Sequence, residues 1–156
     1  MQGEKYALLG SAALAIFIAG LWIGGLLRSR EIAAEPGSKT MPVVRLYSGA
    51  DGQSHFEDLQ VEMKDAGKVG FLSERVGATG IVFRETTGDY SYDFHTAPRR
   101  QYVVNLEGEV EIEIGDGSKR ILRSGEILLA EDVSGQGHIS RAVAGKTRRS
   151  LFITLD

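Results

Sequence analysis

From residue 42 onward, short apolar or alternating runs are separated by glycine-containing turns, and no stretch keeps a helical period for long. That pattern predicts an all-β domain. The clearest element is EVEIEI at residues 109–114, where Val110, Ile112 and Ile114 fall on one face and glutamates on the other, as a half-buried strand requires. Asp116-Gly117 follows, a dipeptide suited to a tight hairpin, and KRILR at 119–123 supplies the return strand. Further strands are predicted at 43–47, 80–85, 90–95, 101–106, 127–130, 139–143 and 150–155. The stretch FEDLQVEMKDAGK at 56–68 fits a strand or a short helix and is left unassigned. A domain built from so many short strands avoids exposed edges by closing into a barrel or a jelly roll.

The N-terminal pattern is different. Residues 6–27, YALLGSAALAIFIAGLWIGGLL, are uncharged and mostly apolar. At about 1.5 Å per residue such a run crosses a hydrocarbon core of roughly 30 Å as one helix. It is longer than the apolar core of a secretory signal, about 7–15 residues, and Arg28 and Arg30 separate it from the small pair Ala33-Ala34 that could mimic a cleavage site. A retained anchor is therefore preferred to a cleaved signal. Lys5 stands before the run, and Arg28, Arg30, Lys39 and Arg45 after it, so the positive-inside rule favours a cytoplasmic C-terminal domain, with a periplasmic one as the alternative. Ser11, Ala15 and Ala19, and again Gly20 and Gly24, recur at four-residue spacing. They form smooth strips on which a second membrane helix can pack closely, although glycine and alanine are common in membrane spans for other reasons.

The expected organisation is a transmembrane helix within residues 1–30, a tether at 31–41 containing Pro36, Gly37 and Ser38, and one domain at 42–156. The net charge of −3 and the isoelectric point near 5.7 leave no basic surplus, so no nucleic-acid partner is indicated. The absence of cysteine excludes disulfides, thiolate zinc sites and a cysteine nucleophile. The string GATG at 77–80 lacks the strand, helix and acidic residue of a dinucleotide site, and no serine-histidine-acid set can be placed. No catalytic residue is assigned.

Two stretches carry a family resemblance. Residues 88–108, GDYSYDFHTAPRRQYVVNLEG, resemble the first signature of the cupins, in which a glycine precedes two closely spaced histidines, a glutamate and a closing glycine. Residues 125–142, GEILLAEDVSGQGHISRA, echo the second signature, which ends on a further histidine. HTAPRRQYVVNLEG and EDVSGQGH are similar to a group of small bacterial cupin-domain proteins of unsettled function. The resemblance implies a double-stranded β-helix, a jelly-roll barrel whose interior can hold a metal or a small molecule. With the anchor, it implies a single-pass protein of the bacterial inner membrane.

In metal-binding cupins, two histidines and a glutamate of the first signature join the histidine of the second. His95 matches the second histidine, and Asp93 stands where the first would be. Gln101 takes the glutamate position by its spacing to Gly108, and His138 takes the last, after an extended SGQG loop. The proline and asparagine of the second signature are replaced by Glu131 and Ala142. Two imidazoles and two oxygens would suit a divalent transition metal such as iron, manganese, nickel or zinc. The neutral amide of Gln101 and the irregular spacing weigh against a metal, and the expectation is no resident cofactor. His55, in the polar stretch GADGQSHFED, is expected in a surface loop.

Arg99, Arg100 and Arg141 admit two readings: a ring at the barrel mouth that holds a carboxylate or phosphate, or solvent-facing charges paired with Glu131 and Asp132. The function expected from all of this is an accessory or scaffolding subunit, its helix packed in a larger membrane complex and its barrel lying on that complex. The alternatives are a metal-dependent oxygenase or isomerase acting on a small acidic substrate, and a small-ligand sensor. The resemblance also admits a homodimer formed through the barrel.

Overall fold

The computed structural model describes residues 39–156. The predicted anchor at 6–27, with Ser11, Ala15, Ala19, Gly20 and Gly24, and the tether up to residue 38 lie outside the described residues. Among the described residues no helix is long and apolar enough to cross a membrane.

The strands are β1 (Lys39–Ser48), β2 (Ser54–Asp65), β3 (Phe71–Leu72), β4 (Gly80–Thr86), β5 (Ser91–His95), β6 (Gln101–Glu107), β7 (Val110–Ile114), β8 (Lys119–Leu122), β9 (Ile127–Glu131), β10 (His138–Ala142) and β11 (Arg148–Thr154). They form a seven-stranded sheet in the order β3-β2-β1-β9-β6-β11-β4 and a four-stranded sheet in the order β5-β10-β7-β8. The domain is thus an all-β sandwich. Its strand pairs are antiparallel except β1 with β9, which run parallel from Val44 opposite Leu128 to Tyr47 opposite Glu131.

Local chemistry explains the clearest element. Val110, Ile112 and Ile114 of β7 are buried, while Glu111 and Glu113 point the other way. The turn after β7 closes where predicted: the Gly117 amide donates to the Ile114 carbonyl at 2.9 Å, and the Ser118 amide donates to the Asp116 carboxylate at 2.8 Å. The main core lies between the sheets, with Leu46 of β1, Val103 of β6 and Leu128 of β9 meeting Val110, Ile112 and Leu122 of β7 and β8. Each such aliphatic side chain stabilises the fold by about 1.5–3 kcal/mol when fully buried. A second cluster, Val43, Leu129 and Leu155, covers the opposite face of the large sheet. β9 is therefore apolar on both faces, which accounts for the unbroken run ILLA.

Most strand boundaries lie within one residue of expectation, and three stretches depart further. β1 begins at Lys39, inside the stretch expected as tether, because residues 39–42 pair with 60–63 of β2 although their side chains are exposed. The unassigned stretch at 56–68 is mostly β2, ending in a 3-10 turn at Gly67–Val69. Ten consecutive pairings with β1 hold it as a strand where its own polar pattern is indecisive. β11 begins at Arg148, two residues before the predicted start. His55 likewise lies in β2 rather than in a loop, with its Nε2 3.0 Å from the Asp51 carboxylate.

Candidate functional site

A cavity of about 640 Å³ opens between the two sheets. Its inner walls are the aliphatic faces of β6, β7, β8 and β9, including Val103, Ile112, Leu122 and Leu128. Its polar lining includes Arg84 on β4, Tyr92 and His95 on β5, Gln101 on β6, His138 and Ser140 on β10, and Arg148 on β11, with Arg99 from the loop before β6.

The two histidines meet because of a glycine. Gly137 has φ of 77°, and a Cβ there would lie 2.1 Å from the His95 carbonyl oxygen, so only glycine allows the chain entering β10 to pass so close to the end of β5. His138 then stands directly opposite His95 in the register, with the ring centroids 4.3 Å apart. Nδ1 of His138 is 2.6 Å from Oδ2 of Asp132, a fully buried carboxylate that also accepts from the Ser54 hydroxyl at 3.2 Å. A carboxylate only accepts, so the Nδ1–H of His138 donates to Asp132. Oδ1 of Asp132 has no partner among the described residues. Nδ1 of His95 donates to the Asp93 backbone carbonyl at 2.7 Å. Burial lowers the His95 pKa below its ordinary 6.5, against the opposing pull of that hydrogen bond, which keeps the ring neutral at neutral pH.

The arginines are built in from the other side. Asn105, almost wholly buried on β6, donates its amide to the Gly108 and Leu122 carbonyls at 2.7 and 3.1 Å. Its remaining oxygen accepts from Nε of Arg148 at 2.7 Å. Gly108, with φ of 73°, makes this possible, since a Cβ there would lie 2.4 Å from the Thr147 carbonyl oxygen and force the start of β11 away. Arg148 is 5% exposed, yet it forms no ion pair with a carboxylate among the described residues, and neither do Arg84 and Arg99. Burial, followed by the neighbouring Arg84 charge, pushes the Arg148 pKa down to about 10, which leaves it protonated at neutral pH. The Arg84 guanidinium lies over the rings of Tyr90 and Phe152, 4.9 and 5.4 Å from their centroids.

Of the residues singled out from the sequence, His95, Gln101, His138 and Arg99 reach this cavity, and three do not. Asp93 is outside it. Strict alternation would place Asp93 on the same face as His95, but the pairing of β5 with β10 slips between His138 and Ser140, so that Ser140 faces Tyr92. The bulge puts Tyr92 on the inner face in place of Asp93. Arg100 is held by Glu131, to which its Nε and Nη2 donate at 2.8 and 2.6 Å. Arg141 occupies the outer face of the small sheet and donates to Glu113 at 2.6 Å. Of the two readings of these arginines, pairing holds for Arg100, which meets Glu131, Arg141 is paired with Glu113 instead, and only Arg99 lines the cavity. Sequence reasoning missed Arg84 and Arg148. Continuing the alternation of β11 two residues upstream from Ser150, past Arg149, would have put Arg148 on the inner face with Phe152.

A resident transition metal does not fit these residues. With Asp93 turned away, the candidate donors lining the cavity reduce to two imidazoles and a neutral amide, and no carboxylate lines it among the described residues. Among the described residues no group of three His, Cys, Asp or Glu side chains could hold a metal ion. Three cationic side chains around the same space oppose a divalent cation further.

No protein-family model and no curated protein matches the sequence. Among solved structures, the chain is similar to the conserved SPY1581 protein of unknown function from Streptococcus pyogenes, with 21% identity over 55% of this chain and 69% of that one, and a TM-score of 0.41. It is also similar to the NMB1881 protein from Neisseria meningitidis, with 14% identity over 80% of this chain and 91% of that one, and a TM-score of 0.40. A third similar structure is a protein from Salmonella typhimurium named for ethanolamine utilization, protein Q, at 14% identity over 75% and 97% of the two chains, with a TM-score of 0.40. Likeness this loose leaves the architecture to be defined by the chain's own strand order.

Proposed function

We propose that residues 42–156 form a cupin-type jelly-roll barrel that binds a small organic molecule in its cavity, and that the segment at 6–27 holds this barrel at a membrane as the ligand-responsive accessory part of a larger assembly. The observation that carries the binding function is the cavity of about 640 Å³, lined by aliphatic side chains together with His95, Gln101, His138, Ser140 and Arg148. Ligand pockets of roughly 300–1,000 Å³ have this mixture of apolar wall and few polar groups. The buried Asp132 holding His138, and Asn105 holding Arg148, favour a prearranged site over an incidental gap, because such supports fix polar side chains before a ligand arrives. The incomplete donor set makes the metal-dependent oxygenase or isomerase the weaker alternative.

The membrane-complex part of the proposal rests on the apolar run and its small residues Ser11, Ala15, Ala19, Gly20 and Gly24. The test is extraction of the full chain in a mild nonionic detergent, followed by native mass spectrometry. A large assembly with a small molecule released on denaturation is the expected result. A chain that migrates alone, carries no small molecule and shows no saturable binding to any member of a small-molecule library would overturn the proposal.

A further inference from the structure

The cavity's charge is unbalanced, and this says what kind of molecule it takes. Arg84, Arg99 and Arg148 line it together with His95 and His138, and among the described residues no aspartate or glutamate contributes to its wall. Asp132 sits behind His138 with the oxygen that faces it already engaged. Outside the cavity, Arg45, Arg100, Arg141 and Arg149 each meet a carboxylate at 2.6–2.8 Å. Arg148 is the buried exception. Its one hydrogen bond within the described residues uses Nε, toward Asn105, so Nη1 and Nη2 have no protein acceptor. A buried cation left without an anion is costly, and structures retain one where a bound partner supplies the missing charge.

We infer that the ligand is a small organic anion, a carboxylate attached to an apolar body, whose carboxylate is gripped by the open end of Arg148 with Arg84 beside it. The inference rests on the ligand-binding reading above and names its ligand class. A guanidinium held by Nε presents its two Nη groups as a planar fork, the geometry that receives both oxygens of a carboxylate. The stacking of Arg84 on Tyr90 and Phe152 holds that second cation in place without neutralising it. The aliphatic walls formed by Val103, Ile112 and Leu128 suit the apolar body.

The test uses the full chain in nonionic detergent and isothermal titration with a series of small carboxylates, acetate through hexanoate and benzoate, each paired with its primary amide. Carboxylates with an apolar body should bind at least about tenfold tighter than the matching amides, as a charge-assisted bidentate contact provides. Arg148→Gln should abolish that preference, weakening carboxylate binding far more than amide binding. If the amides bind as tightly as the carboxylates, or Arg148→Gln keeps the preference, the anion assignment is wrong and the cavity still binds ligands. If no member of either series binds, the anion assignment is overturned, and the ligand-binding reading is decided separately by the co-purified molecule and the small-molecule library. Should Arg148→Gln lose its thermal unfolding transition, Arg84→Gln decides the matter, with a several-fold drop in carboxylate affinity expected and an unchanged preference overturning the assignment.

Discussion

Arg148 and Arg149 are neighbours on β11 and face opposite ways. Arg149, on the outside, donates to Glu85 at 2.8 Å and to Glu107 at 3.2 Å, carboxylates on the two strands that flank β11. Arg148, on the inside, has an asparagine oxygen and no carboxylate. The pleat alone separates them, because successive side chains leave a strand on opposite faces. The outer face of the small sheet repeats the first pattern, with Arg141 and Lys119 interleaved with Glu111 and Glu113 across β10, β7 and β8. On these outer faces charge is matched by cross-strand carboxylates. Inside, no carboxylate among the described residues meets Arg148. The comparison separates arginines that serve the sheet from arginines that serve the cavity, a distinction that residue type cannot make.

Three substitutions probe that contrast at different depths. The largest effect is expected from Asp132→Ala, which removes the fully buried carboxylate beneath the cavity and strands both Nδ1 of His138 and the Ser54 hydroxyl. Unfolding by urea should show a loss of about 3 kcal/mol, the scale for breaking a buried ionic or charge-assisted contact from one side. A loss under about 1 kcal/mol would show that the interior tolerates an unheld histidine and that the site is not prearranged.

The rim comes next. Glu131 accepts from Arg45 at 2.6 Å and from Arg100 at 2.6 and 2.8 Å. Burial pushes its carboxyl pKa upward, but the hydrogen bonds from Arg100 and Arg45 outweigh it and hold the group below its ordinary 4.5. A carboxyl with a depressed folded pKa stabilises the protein above its unfolded value, and that stabilisation fades as pH falls through the folded one. The thermal midpoint of Glu131→Gln should therefore lie below that of the natural chain at pH 7, with the gap closing as pH falls below 4.5. A gap that stays constant with pH would mean that the pair contributes shape and not charge.

The smallest effect belongs to Arg141→Ala on the outer face. Exposed ion pairs contribute little, so the thermal midpoint should shift only slightly, and the shift should vanish in about 1 M salt, where the Debye length is roughly 3 Å. A large, salt-resistant loss would place Arg141 with the interior arginines and break the comparison.

Much of the sheet was legible in advance, since the alternation in EVEIEI and the Asp116-Gly117 turn are local signals. Three of the four residues aligned with a cupin ligand set, His95, Gln101 and His138, do share one cavity. The fourth, Asp93, stands at the first histidine's position by resemblance and is displaced by the bulge where β5 pairs with β10. Arg148 was missed for a related reason. The apolar run SLFITL marks the strand, whereas the two arginines before it look like loop until β11 is seen pairing with Thr86 and Glu85 of β4.

By itself, the sequence determined an all-β domain following an apolar N-terminal segment, the hairpin, the inward face of β7 and the candidates His95, Gln101 and His138. These follow from a two-residue period and from short motifs, properties that a chain carries locally. Only the tertiary structure decided which arginine faces inward, that Tyr92 replaces Asp93 in the cavity wall, and that no carboxylate joins them. Charge balance in a cavity is a sum over strands far apart in the chain, so it emerges only once those strands are paired.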